Sequence, residues 1–182
     1  MDGTPYYSVP IIHDPKTGTS VGDSLWIAEY LDGTYPETPR IVPPGGHALH
    51  MTFLRSFGSL ISDKHRDVLS GKQASQFNEG SAEWFWWNKM KWAEKDLGTE
   101  DEKFAAIEQD LQPMERWYKQ GDKFLTGSDD LILADLHIAG WLGWVRTLWG
   151  EDSEQWQKVL AWNGGRWKAL FEKLAPYEQV VI

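Results

Sequence analysis

The sequence has no cysteine. That excludes disulfides, thiolate metal sites and a cysteine nucleophile, and it fits an intracellular, cytoplasmic protein. Basic residues are in deficit: 18 Lys and Arg stand against 27 Asp and Glu, for a formal net charge of −9. A surface of that sign repels nucleic acid and anionic membrane, and no basic stripe offsets it, so neither is expected as a partner. No apolar run reaches membrane-spanning length, and the opening "MDGTPYY" shows no basic stretch leading into an apolar one. What is abundant is tryptophan, 12 in a chain of 182 residues. That length suits one domain, or a compact domain with a smaller appendage, and allows a substantial core.

The first forty residues differ in pattern from the rest. "SVPIIHD" is a β-rich run leading into "DPKTG", where Pro15 suits the second position of a type I turn and Gly18 the left-handed position that closes a hairpin. "TSVG" is the expected return strand. At "DSLWIAEYLDG" the period becomes helical, with Leu25, Ala28 and Leu31 on one stripe, Asp23 or Ser24 as cap and Gly33 just past the end. The proline-rich "YPETPRIVPPGG" reads as an extended linker. Beyond it the pattern is helical throughout. Met51, Leu54, Phe57 and Ile61 mark a helix from His47 to about Leu69, and "SAEWFWWNKMKWAEKDL" marks a second. Phe104, Ile107, Leu111, Met114 and Tyr118 form an amphipathic stripe that Pro113 should kink. "LILADLHIAGWLGWVRTLW" is apolar nearly all round, as a central buried helix is, and would make His137 a core residue. "NGG" divides two last helices.

One constellation carries chemistry. A cis bond at Val9–Pro10 would turn the chain sharply and present the Val9 N–H and C=O outward, an edge able to pair with an extended peptide backbone. About a dozen residues later, Asp23-Ser24 opens a helix whose free N–H groups and positive dipole end favour an anion. Ser24 adds a donor, and Asp23 can accept from a ligand ammonium. A peptide edge beside an α-amino-acid pocket matches glutathione. A proline-bearing hairpin followed by a capped helix is equally a plain scaffold, and spacing alone does not separate the two.

At these residues "DGTPYYSVPIIHDPKTGTSVGDSLWIAEYLDGTYPETP" resembles part of a glutathione S-transferase N-terminal domain, closest to the fungal-specific Fu class A, β-etherase-like branch. The similarity continues more loosely to "LILADLHIAGWL", which resembles the family's buried sixth helix. It implies a mostly α fold: a partial thioredoxin-like α/β domain over residues 1–36, a linker over 37–46, and an all-helical glutathione-transferase C-terminal domain over 47–182. By the same resemblance Val9 is the backbone contact, Pro10 the cis proline, and Asp23 and Ser24 the γ-glutamyl-binding pair. Glutathione is then the co-substrate, no metal is required, and a homodimer is expected.

Two departures stand out. The family's catalytic Ser or Tyr belongs to an N-terminal β-α-β unit that has no counterpart in this sequence, and Tyr6, Tyr7 and Ser8 do not take its place. The catalytic residue is therefore unknown, and this chain by itself is expected to be weak or inactive. The family's Ser/Thr-x-x-Asp capping box is also altered: Ile132 stands where the hydroxyl would be, leaving Asp135 in a structural role, with Asp129 or Asp130 as possible earlier starts of the helix.

The run Trp84, Phe85, Trp86, Trp87 with Asn88 falls on the helix that walls the family's electrophile pocket. It suits a flat hydrophobic ligand, with Asn88 as a polar contact. Inward packing of Trp84 and Trp87, three apart, is the alternative. His47 and His50 share a helix face but lack an evident third ligand, so a solvated face is expected rather than a metal site. Three functions follow: a transferase acting on aromatic or phenolic compounds in detoxification or secondary metabolism, a non-catalytic ligandin-like binder of aromatic metabolites, and a structural module.

Overall fold

The structure, a computed structural model, describes residues 9–60, 63–89 and 98–178. It is mostly helical, with a two-stranded sheet at its start. Strands β1 (Ile11–Asp14) and β2 (Thr19–Gly22) pair antiparallel, Ile11 opposite Gly22 and Asp14 opposite Thr19. The turn between them forms as the sequence indicates: Gly18 takes φ 70° and donates to the Asp14 carbonyl at 2.8 Å. Helix α1 (Ser24–Thr34) follows and runs past the expected end, so that Gly33 lies inside it. Its inward face is Leu25, Ala28 and Asp32, while Leu31 is 39% exposed.

The buried Asp32 carboxylate accepts from the backbone N–H groups of Ile41, at 3.1 Å, and Val42, at 2.7 Å. The Ile41 carbonyl in turn accepts from Leu133 N–H at 2.8 Å. The proline-rich segment is thus pinned at its middle, through Ile41 and Val42. Val42, Leu25, Ala28 and Leu133 form a small core of their own beneath it, with Met51 and Leu54 alongside.

The predicted helix from His47 to Leu69 is two helical segments, α2 (His47–Leu60) and α3 (Asp63–Ala74), and Ile61 lies outside the described residues. Helices α4 (Glu79–Lys89), α5 (Glu100–Leu111), α6 (Leu133–Trp149) and α7 (Glu154–Leu174) complete the bundle. At Pro113 the chain departs from α5 into a 3-10 turn, Gln112–Trp117, because proline cannot donate the next helical bond. The α5 stripe faces inward as expected, with Ile107, Leu111, Met114 and Tyr118 buried. Helix α7 is broken at Trp162–Gly165, where Asn163, Gly164 and Gly165 all take positive φ. The main core gathers Phe57, Leu69, Ile107, Leu142, Trp156 and Trp167, so much of the tryptophan excess goes into packing.

Two expectations about α6 are corrected. The helix starts at Leu133, not at Asp129 or Asp130. Asp135, fully buried, reaches back to Ile132 N–H at 3.2 Å and holds Leu125 N–H at 2.9 Å, tying the preceding loop to the helix. Its burial pushes the carboxyl pKa upward, while those two donors oppose the shift. His137, expected in the core, instead lies on the exposed side of α6, with its ring edge-on to Phe57 at 5.3 Å.

Candidate functional site

The hairpin and the start of α1 converge on one small surface. The Val9–Pro10 bond is cis, and Asp23 N–H donates to the Pro10 carbonyl at 3.2 Å. That bond lays the approach to β1 against the N-terminus of α1, so four residues from two sequence motifs become neighbours. Val9 is 89% exposed, and Asp23 and Ser24 are exposed beside it. Asp23 caps the helix: its Oδ1 accepts from Leu25 N–H at 3.0 Å, and its carbonyl accepts from Ile27 N–H. The cap is reached at a cost, since Asp23 has φ 73° and ψ 132°, a conformation that L residues rarely adopt.

Electrostatics at the helix end favour an anion. No acidic residue occupies the first turn of α1 beyond the cap itself, whose carboxylate takes the Leu25 N–H. Below this surface the hairpin is braced by Asp14. This buried carboxylate accepts from the hydroxyls of Tyr35 at 2.6 Å and Tyr30 at 2.8 Å, and from Lys16 N–H at 2.9 Å. The two phenols and the backbone donor hold the Asp14 carboxyl down at about 2, and the same contact pushes Tyr35 up to about 12. Neither tyrosine was singled out by sequence. A carboxylate at a turn followed by tyrosines one helix later was the available signal.

The solvated face expected for the histidines at the start of α2 is corrected, because His50 is buried and His47 is held by Glu29. His47 Nδ1 meets Glu29 Oε1 at 2.8 Å, and its ring lies 4.9 Å from Trp26. His50 is buried against α1 with its Nδ1 unpartnered, and burial lowers its pKa. No group of three or more His, Asp or Glu able to hold a metal occurs among the described residues.

The aromatic run is not part of the same cavity. Helix α4 packs on α3, whereas α1 packs on α2 and the hairpin. Trp84, Trp86 and Trp87 are 59%, 48% and 70% exposed, so the alternative in which Trp84 and Trp87 pack inward does not describe α4. Phe85 is the residue that turns in, against Phe77 at 5.3 Å. The three indoles line an open cleft of about 720 Å³ with Gly80 and Glu83, and none of the hairpin residues borders it. The Asn88 side chain, like Tyr6, Tyr7 and Ser8, lies outside the described residues.

The family described as "Glutathione S-transferase, C-terminal domain" matches residues 48–177. Over its whole length the chain is similar to a solved glutathione S-transferase of Ceriporiopsis subvermispora, CsGST63524, in complex with glutathione. The identity is 30%, the TM-score 0.89, and the match covers 76% of that chain. A second transferase of that organism, CsGST83044, also in complex with glutathione, is 32% identical over 96% of this chain and 73% of its own, with TM-score 0.86. Glutathione transferase GSTFuA2 of Phanerochaete chrysosporium is 28% identical over 99% of this chain and 75% of its own, with TM-score 0.83. No curated protein matches the chain. Carried by the domain match and by similarity along its full length, the chain belongs to the glutathione S-transferase family.

Proposed function

We propose that this chain binds glutathione at the surface formed by Val9, Pro10, Asp23 and Ser24, as a member of the fungal Fu-type, β-etherase-like branch. The observation that carries the assignment is the 3.2 Å bond from Asp23 N–H to the Pro10 carbonyl, which places the exposed Val9 backbone beside the N-terminus of α1. An extended tripeptide can pair its backbone with Val9 while its γ-glutamyl carboxylate takes the α1 N-terminus and the Ser24 hydroxyl, and its ammonium the Asp23 carboxylate. Two similar transferases were solved with glutathione, which supports the same ligand here.

The second substrate is an aromatic or phenolic compound, bound by the indoles of α4, in a detoxifying or secondary-metabolic role. A cytoplasmic homodimer belongs to the same proposal, and exposed Trp26 and Leu49 supply apolar surface for it. Binding without turnover is the second reading. It is favoured by the described residues of the proposed site, which aim no donor at the ligand sulfur, since a free thiol is mostly protonated near neutral pH. Calorimetric titration with glutathione tests the first site: Ser24→Ala should bind about tenfold more weakly than the parent chain, the equivalent of one charge-assisted hydrogen bond. An unchanged affinity would remove the site. Quenching of tryptophan fluorescence by simple phenols tests the second, with Trp84→Ala, Trp86→Ala and Trp87→Ala each compared with the parent.

A further inference from the structure

The hairpin and α1 rest on the helical bundle through a seam of their own. Its apolar part is the small core of Leu25, Ala28, Val42 and Leu133, a cluster separate from the main core of the bundle. Its polar part is four titratable groups: Glu29 and Asp32, three apart on α1, and His47 and His50, three apart on α2. Glu29 is taken by His47 Nδ1 at 2.8 Å, and Asp32 by the Ile41 and Val42 N–H groups. His50 is the fourth. It is 4% exposed, and its Nδ1 has no hydrogen-bond partner.

A positive charge on His50 is poorly served by these surroundings. The ring is out of water, at the N-terminal end of α2, where the helix dipole opposes a cation. The proline-rich segment meets it at Gly46, which carries no charge. Helix α6, also packed on α2, commits Asp135 to the Leu125 and Ile132 N–H groups and sets His137 against Phe57, two turns further along. Glu29 and Asp32 attract the charge, but each must leave a donor it already holds to meet it. Protonation of the half-exposed His47 draws Glu29 the other way. A proton on His50 is therefore accommodated better with the seam open than closed. Opening does not require the bundle to unfold, because no residue of the hairpin or α1 belongs to the main core. An isolated helix of 11 residues is marginal in water, so α1 frays once released.

We infer that the seam between α1 and α2 is a pH-operated joint, in which protonation of His50 releases the hairpin and α1 while the bundle stays folded. The contribution of the neutral ring is whole above about pH 6.5 and is lost as the pH falls below that value. A ligand bound at Asp23 and Ser24, as proposed for glutathione, holds the joint shut.

Hydrogen exchange of the full chain, read by mass spectrometry as protection factors for residues 24–34 and 133–149 at pH 7.5 and 5.5, tests the joint. At pH 5.5 α1 should be protected at least about tenfold less than α6, with a shallower dependence on urea, because its opening exposes only the small core. Between the two pH values α1 protection should fall by up to about tenfold, the limit for one group that takes its proton only in the open form. His50→Leu and His50→Gln should each remove most of that fall, whereas His137→Gln should keep it; circular dichroism confirms that each variant is folded. If α1 and α6 are equally protected in the parent chain at both pH values, the chain opens as one unit and the inference is wrong, whether or not the variants fold. A fall in α1 that survives both His50 variants overturns it equally. Glutathione at ten times its dissociation constant should raise α1 protection at pH 5.5 about tenfold. If the pH response is as expected and glutathione leaves α1 unprotected, the joint stands and the glutathione surface fails.

Discussion

The Tyr35 hydroxyl donates to Asp14 Oδ2 at 2.6 Å, joining the end of β1 to the residue that closes α1. This hydrogen bond shifts two groups in opposite directions: it is the largest of several contacts that take Asp14 down from 3.8 to about 2, Tyr30 among them, and it leads the rise of Tyr35 from 10.0 to about 12. The lowered carboxyl contributes stability that is present above about pH 3.8 and is lost as the pH falls toward about 2. The raised phenol contributes stability that is present below about pH 10 and is lost as the pH rises toward about 12. Urea midpoints measured across both windows should fall at each end in the parent chain. In Tyr35→Phe both slopes should flatten, the acid one only in part, because Tyr30 still donates to Asp14. Identical slopes in the two proteins would mean that this pair does not bear on folding.

Asp32 makes the sharpest structural prediction. Its removal as Asp32→Ala leaves the Ile41 and Val42 N–H groups unpaired at the edge of the small core. A buried donor left unsatisfied costs about 1–3 kcal/mol, so two such donors should lower stability by at least about 2 kcal/mol in urea. Asp32→Asn keeps one acceptor oxygen and should recover part of the loss. A loss under about 0.5 kcal/mol for the alanine variant would show that water replaces the carboxylate freely.

The same residue shows where sequence reasoning stops. Periodicity found α1 and predicted Leu25, Ala28 and Leu31 as its inward stripe, yet the third inward residue is Asp32. A count of apolar residues cannot see a buried carboxylate whose donors arrive from Ile41 and Val42, nine and ten positions later. His137 failed for a related reason: apolar neighbours on every side of α6 hid one exposed face. The α5 stripe was legible because a single strip of large apolar residues admits one burial pattern. That Val9, Pro10, Asp23 and Ser24 are neighbours was legible because two short motifs carried them. Four consecutive aromatics in α4 were not, since consecutive positions point in four directions and only packing against Phe77 selects Phe85 as the inward one.

His50 offers a test of the contact between α1 and α2. It is buried with an unpartnered Nδ1, and burial lowers its pKa although Glu29 and Asp32 pull the other way. A histidine depressed in the folded state contributes stability that is full above about pH 6.5 and declines as the pH falls below that value. His50→Leu should flatten the decline between about pH 6.5 and 5, while staying within about 1 kcal/mol of the parent chain at pH 7.5, because no hydrogen bond is lost there. A decline of unchanged steepness would assign the effect to other histidines.

Asp23 separates stability from binding. Its backbone sits at φ 73°, where glycine is at ease and other residues are strained by about 1–3 kcal/mol. Asp23→Gly relieves that strain, and glycine is a tolerable N-cap that costs only a few tenths of a kcal/mol. The thermal midpoint should therefore hold or rise, while glutathione affinity falls about tenfold or more with the loss of the carboxylate that would meet the ligand ammonium. A variant that loses stability while binding glutathione normally would make Asp23 a structural cap and nothing else.

Turnover is the remaining question, and it turns on the thiol. At the proposed site the described residues supply a backbone edge, a helix N-terminus, one hydroxyl and one carboxylate. The carboxylate would disfavour a thiolate, and the Ser24 hydroxyl is committed to the γ-glutamyl end in the proposed pose. With no donor aimed at the sulfur among the described residues, the proposed site on its own should bind glutathione and conjugate an aromatic electrophile slowly. An N-terminally extended form carrying a β-α-β unit with the family's Ser or Tyr should be faster by about 10²-fold or more, the scale of a single donor to a developing anion. The faster form should also show a lower thiol pKa in its pH–rate profile, which separates thiol activation from a gain in stability. Equal rates for the two forms would place the activating hydroxyl within this sequence and turn attention to Tyr6, Tyr7 and Ser8, each then replaced in turn by Phe, Phe and Ala.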